Sequence, residues 1–119
     1  MNLVGTIDFT EGIIPIMNSK GHIINISSRA GSLEHTNYTL NYPSYRISKA
    51  AINMVTRILA VRLKEKIKVS SIHPGWVKTD MGGDNADMGP KEAAEDIFKL
   101  ANSSAKTGGF WFKGKKFPW

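Results

Sequence analysis

Apolar residues in the first eighteen positions recur at near-helical spacing: Leu3, Ile7, Phe9, Ile13, Ile14 and Met17. The spacing predicts a helix over 2–18, weakened by Gly5, Gly12 and Pro15. The polar stretch NSKGH stops it, with Gly21 expected as its C-terminal cap. The short β-branched run HIINI at 22–26 reads as a buried strand, and the polar SSRAGS follows it. A loop over 33–43 leads to the longest periodic segment, a helix over 44–66 with Pro43 suited to its first turn. Its expected apolar face is Ile47, Ala51, Met54, Val55, Ile58, Leu59 and Leu63. A second strand over 67–73, an irregular glycine-rich segment over 74–90, a helix over 90–102 and a third strand over 108–112 complete the pattern. The acidic residues of that last helix gather in its first half, where the helix dipole favours them.

Helix and strand alternate three times. That order predicts an α/β layer on a parallel sheet, within one domain of 119 residues. There are no cysteines, which removes disulfides and thiolate chemistry and fits a reducing compartment such as the cytoplasm. No apolar run reaches the roughly 20 residues of a membrane span, and the N-terminus lacks a basic signal-peptide region. The net charge of +6 raises the question of a nucleic-acid partner. The basic residues are spread along the chain, with a small cluster at Lys113, Lys115 and Lys116, and this weighs against one.

In an open parallel sheet, ligands bind beyond the carboxyl ends of the strands. Ser27 and Ser28 follow the first predicted strand; His73, Pro74 and Gly75 end the second. Tyr45 and Lys49 open the helix between them, four residues apart and so on one helix face. A phenol ionises well above neutrality. An ammonium about 4 Å away, at an effective dielectric of about 20, is worth on the order of 4 kcal/mol toward the phenolate. A serine hydroxyl nearby would hold the carbonyl oxygen that Tyr45 protonates. His73 reads as a structural histidine. His22 and His35 lack metal-ligand spacing. Trp76, Trp111 and Trp119 read as packing or pocket wall, and Asp80, Asp84 and Asp87 as solvated loop residues.

The motif YRISK at 45–49 resembles the Tyr-x-x-x-Lys signature of the short-chain dehydrogenase/reductase family. NLVGT at 2–6, GHIINISSRAG at 21–31 and HPGWVKTDM at 73–81 resemble the family's other segments in the family's order. GGFWFKGKKFPW is similar to the C-terminus of its carbonyl reductases of the C-factor and sniffer type. The resemblance implies the C-terminal half of a Rossmann-type doubly wound parallel sheet. It implies Tyr45 as general acid/base and Lys49 as the cation that tunes it and binds the nicotinamide ribose. Ser28 would orient the substrate oxygen, with Ser27 as the alternative, and Asn2 would hold a relay water. Pro74, Gly75, Trp76, Val77 and Thr79 would line the nicotinamide. The implied cofactor is NADP or NAD, with NADPH favoured by the subgroup, and the implied substrate is a small carbonyl compound or alcohol. The family's glycine-rich phosphate turn does not occur in this chain. Two roles follow: an oxidoreductase weakened by that lack, or a non-enzymatic truncated paralogue that associates with full-length reductase subunits. Helices 2–18 and 44–66 are the surfaces through which a homo-oligomer would form.

Overall fold

A computed structural model of the chain describes residues 3–38, 41–64, 66–76 and 89–119. Its elements are α1 (Leu3–Ile13), β1 (His22–Ile26), α2 (Pro43–Leu63), β2 (Lys68–Ile72), α3 (Pro90–Ala101), β3 (Phe110–Phe112) and β4 (Lys115–Lys116). The four strands form one sheet in the order β1-β2-β3-β4. β1, β2 and β3 run parallel, as the alternation predicts, and β1 pairs with β2 from His22↔Lys68 through Ile26↔Ile72.

β4 was not expected. It pairs antiparallel with β3, Phe112 opposite Lys115. The two residues between them, Lys113 and Gly114, both have positive φ, 48° and 76°. That is the backbone a two-residue hairpin turn needs to match the strand twist.

The predicted first helix is also shorter than expected. α1 ends at Ile13 and a single 3-10 turn, Ile14–Ile16, carries Pro15. Proline lacks the N–H that would continue the α-helical ladder. Gly21 therefore caps no helix; its N–H closes a turn onto the Asn18 carbonyl, 2.9 Å away.

α2 lies on one face of the sheet. Ile23, Leu59, Ala60, Ile67 and Val69 form a buried cluster there, with Ile14, Met17, Val55 and Leu63 packed around it. Each large aliphatic side chain in such a cluster contributes about 1.5–3 kcal/mol through the apolar surface it removes from water. The helix is rotated only in part from the expected orientation: Val55, Leu59 and Leu63 pack on the core as expected. Its buried residues are Lys49, Ile52, Asn53, Thr56, Leu59 and Ala60, whereas Ile47, Met54 and Ile58 are exposed. Polar pairing explains the choice. Thr56 donates to the Ile52 carbonyl (3.0 Å), accepts from Asn25 Nδ2 (2.9 Å) and shares a hydrogen bond with Ser71 Oγ (2.7 Å). Asn25, Thr56 and Ser71 are all buried and satisfy one another, so a polar stripe can face the sheet without loss. α3 brings Ala93 and Leu100 into burial, and Leu100 lines a cavity with Ile72 and Trp111.

Candidate active site

The register decides where the site lies. Ile26 stands opposite Ile72, so Ser27-Ser28 and His73-Pro74 leave the sheet at the same edge, the carboxyl end of the parallel strands. Ser27 N–H still donates to the Ile72 carbonyl (2.8 Å). Ser28 is in extended backbone and its Oγ accepts from the Ala30 N–H (3.0 Å), which starts the 3-10 turn Arg29–Gly31. Ser27 is buried and its Oγ reaches the Lys49 carbonyl at 3.5 Å. Ser28, half-buried, is the more accessible of the two hydroxyls.

Tyr45 and Lys49 sit in the first two turns of α2. Tyr45 is about half open to solvent, and Lys49 is buried, 7% exposed. The Lys49 Nζ lies 5.6 Å from the centre of the Tyr45 ring, within cation–π range. It donates to the Ile26 carbonyl (3.0 Å). Burial pulls the Lys49 pKa below the usual lysine value.

Three further contacts hold this corner, and sequence reasoning missed them all. Gly31 is pressed on α2: an added Cβ would lie 2.8 Å from the Lys49 carbonyl carbon. Asn53 Nδ2 donates to the Gly31 carbonyl (3.3 Å). The carbonyl of Trp119 accepts from Ser32 Oγ (3.1 Å) and from the Glu34 N–H (3.2 Å). The only signal for the first was the glycine in SSRAGS. The last joins residues 87 positions apart and had none.

On the β2 side, Gly75 has a φ of 91°, a region open mainly to glycine. Its N–H donates to His73 Nδ1 (3.2 Å), while the His73 ring stacks on Phe112 at 4.5 Å. Burial first, then the charges of Arg29 and His35, push the His73 pKa down to about 4. His73 is therefore neutral near pH 7 and serves as an acceptor that shapes the turn, as the structural reading expected. Pro74 and Trp76 flank this turn. Asn2, Val77 and Thr79 lie outside the described residues, as do Asp80, Asp84 and Asp87. Among the described residues no group of three His, Cys, Asp or Glu side chains could hold a metal ion. No helix among them is long and apolar enough to cross a membrane.

The parallel α/β sheet thus presents Ser28, Tyr45 and Lys49 beyond the carboxyl ends of its strands, where open sheets of this kind bind ligands. The family model for short chain dehydrogenase matches residues 1–89, and the chain belongs to that family, whose members are NAD(P)-dependent oxidoreductases. It is 30% identical over 125 residues to C-signal of Myxococcus xanthus, covering all of this chain and 75% of that protein. Among solved structures it resembles carbonyl reductase Sniffer of D. melanogaster, with 34% identity and a TM-score of 0.74, over 91% of this chain and 46% of that one. It also resembles the NADPH-bound carbonyl reductase from chicken fatty liver, with 39% identity and a TM-score of 0.72, over 82% of this chain and 42% of that one. The chain thus spans about half the length of these two carbonyl reductases.

Proposed function

We propose that this chain carries the proton-transfer half of a nicotinamide-dependent carbonyl reductase. The observation that carries the reading is the buried Lys49 ammonium, bonded to the Ile26 carbonyl and lying against the Tyr45 ring, at the strand end that delivers Ser28. In this reading Ser28 Oγ donates to the substrate oxygen and holds it toward Tyr45. Tyr45 gives its hydroxyl proton to that oxygen as negative charge develops, and Lys49 stabilises the phenolate left behind. Asn2 supports the water that returns the proton. Bound NADPH or NADH supplies the hydride.

The residues present fit the nicotinamide end of such a cofactor. Lys49 has donor capacity beyond its single bond to Ile26, and the positive φ of Gly75 lets the backbone approach a ligand closely. Pro74, Trp76, Val77 and Thr79 complete that wall in the proposal. The substrate is a small ketone, aldehyde or alcohol. The chain has no glycine-rich turn to take the pyrophosphate, so the 119-residue chain is expected to hold the cofactor weakly and turn over slowly.

A second reading is favoured by a specific feature. Ile47, Met54, Ile58 and Val61 form an exposed apolar stripe along α2, and α1 adds exposed Val4 and Phe9. A stripe at that spacing suits another helix pair, so association with a second copy or with a full-length reductase subunit fits it.

Calorimetric titration of the folded chain with NADPH and, separately, NADH tests the first reading. Binding that Lys49→Met weakens about tenfold, with reduction of a model ketone that Tyr45→Phe abolishes, is expected. A folded chain that binds neither cofactor refutes it for this chain. Co-purification with a full-length reductase whose activity is indifferent to Tyr45→Phe then supports the second.

A further inference from the structure

On the side of the sheet away from α2, a cleft of about 660 Å³ lies between α3 and the outer strands. That volume suits a small organic ligand. Its apolar wall is Ile72, Leu100 and the indole of Trp111. Glycine at 109 makes that wall: a Cβ there would lie 2.5 Å from Trp111 Nε1, so only glycine lets the indole fold back along the strand. The indole N–H has no hydrogen-bond acceptor among the described residues. The connection from α3 to β3 is also fixed. Lys68 Nζ on β2 donates to the carbonyls of Ser103 (3.1 Å) and Ala105 (3.4 Å), and Thr107 Oγ1 accepts from the Val69 N–H (2.9 Å).

The polar lining is lopsided in charge. Lys99, Lys106, Lys113 and Lys116 surround the cleft, and Asp96 is the one carboxylate among the described residues that line it. Among the described residues none of these is ion-paired, and the one ion pair joins Arg62 to Glu11. Lys113 only rests near the Phe112 ring. Ammonium groups drawn from a helix, a loop and a hairpin around one concavity focus a positive field into it. A solvated lysine face would instead scatter them over a convex surface.

We propose that this cleft is a binding site for a small phosphate ester with a flat apolar portion. The phosphate dianion lies among Lys99, Lys113 and Lys116, and the flat portion rests on Trp111 and Leu100. The site is separate from the corner formed by Ser28, Tyr45 and Lys49, so it stands whether or not that corner binds a nicotinamide.

The test is titration of the 119-residue chain with 1-naphthyl phosphate at pH 8 in 20 mM NaCl, followed by calorimetry. Saturable binding is expected, with 1-naphthol at least tenfold weaker and affinity falling about tenfold at 200 mM NaCl through charge screening. Lys113→Gln/Lys116→Gln should weaken binding at least tenfold, and Gly109→Ala should weaken it by displacing the indole. Lys20→Gln/Lys64→Gln removes the same charge outside the cleft and should change affinity less than twofold. Equal losses in the two double variants would show that binding follows net charge, and would overturn the proposal, as would naphthol binding as tightly as its phosphate. NADPH titrations of the same variants keep the two sites apart: the cleft substitutions leave cofactor affinity unchanged, and Lys49→Met leaves naphthyl phosphate affinity unchanged.

Discussion

Gly31 joins the serine segment to the lysine helix, so Gly31→Ala tests the architecture of the corner directly. The added Cβ would sit 2.8 Å from the Lys49 carbonyl carbon, 2.9 Å from its Cβ and 2.9 Å from its oxygen, where ordinary contact begins at 3.4 Å. Two of those atoms are backbone in the second turn of α2 and cannot rotate away. The 3-10 turn Arg29–Gly31 and the helix must therefore part by about half an ångström. Overpacking of that kind costs about 1–3 kcal/mol. Separation also stretches the Asn53–Gly31 and Ser27–Lys49 hydrogen bonds, each worth about 1 kcal/mol net. The expected destabilisation is about 2–4 kcal/mol. With a urea m-value of about 2 kcal/mol/M, the unfolding midpoint falls by about 1–2 M. Gly12→Ala is the matching control. It lies in α1 and its Cβ meets nothing within 4 Å, so alanine should raise stability by about 0.5–1 kcal/mol through helix propensity. Urea unfolding followed by circular dichroism reads both. Gly31→Ala within 0.5 kcal/mol of the parent would refute the close approach.

His73 makes stability depend on pH. Its pKa is about 4 folded against 6.5 for the free side chain, so the unfolded chain takes up a proton first as pH falls. The contribution is full above pH 6.5 and is lost as pH drops toward 4. It amounts to about 1–2 kcal/mol once the ring's partial exposure to solvent is allowed for, and His73→Gln should flatten that part of a urea-midpoint profile. Thr56→Val strands the buried Asn25 amide and the Ser71 hydroxyl and should cost about 2–3 kcal/mol in the same assay; a loss under 0.5 kcal/mol would show that the polar stripe is not a network. Ile58→Lys places a charge in the middle of the exposed α2 stripe and should shift sedimentation toward monomer without lowering the unfolding midpoint. An unchanged sedimentation profile in a self-associating chain would rule the stripe out as the interface.

Local patterns carried much of this structure. β1 falls on the predicted residues because five residues dominated by β-branched side chains cannot be mistaken for a turn. The Tyr45–Lys49 pair was legible because it depends only on helix spacing. The face of α2 was not. The helix has two apolar-rich faces, and periodicity favoured the one with Ile47, Met54 and Ile58. The face that is buried includes Asn53, which reaches the Gly31 carbonyl, and Thr56, whose burial becomes favourable only once Asn25 and Ser71 stand opposite, 31 and 15 positions away. β4 is a different kind of miss, because Lys113-Gly114 between two short runs is a local hairpin signal. The contacts of Trp119 with Ser32 and Glu34 are tertiary throughout, and no window of sequence contains them.

The bond between Lys49 and Ile26 shows why the corner takes this form. Gly21 offers its carbonyl to Lys68, and Ser27 its N–H to Ile72. In a parallel strand the N–H and C=O of one residue point to the same side, so odd-numbered residues of β1 face β2. Ile26 is even-numbered, and its carbonyl points away from the ladder. A buried ammonium needs an acceptor that is close, fixed and not already used. The last even-numbered carbonyl of β1 is all three, and it is two residues before Ser28. Burial alone drives Lys49 toward its neutral form, in which it could neither attract a phenolate nor offer its full set of donors. The hydrogen bond to Ile26 favours the charged form and sets the distance between helix and strand end. Removing the charge by Lys49→Met should therefore loosen the contact of α2 with the serine segment as well as the grip on a ligand held at that corner. One contact thus ties the strand end before Ser28 to the ammonium that lies against the Tyr45 ring.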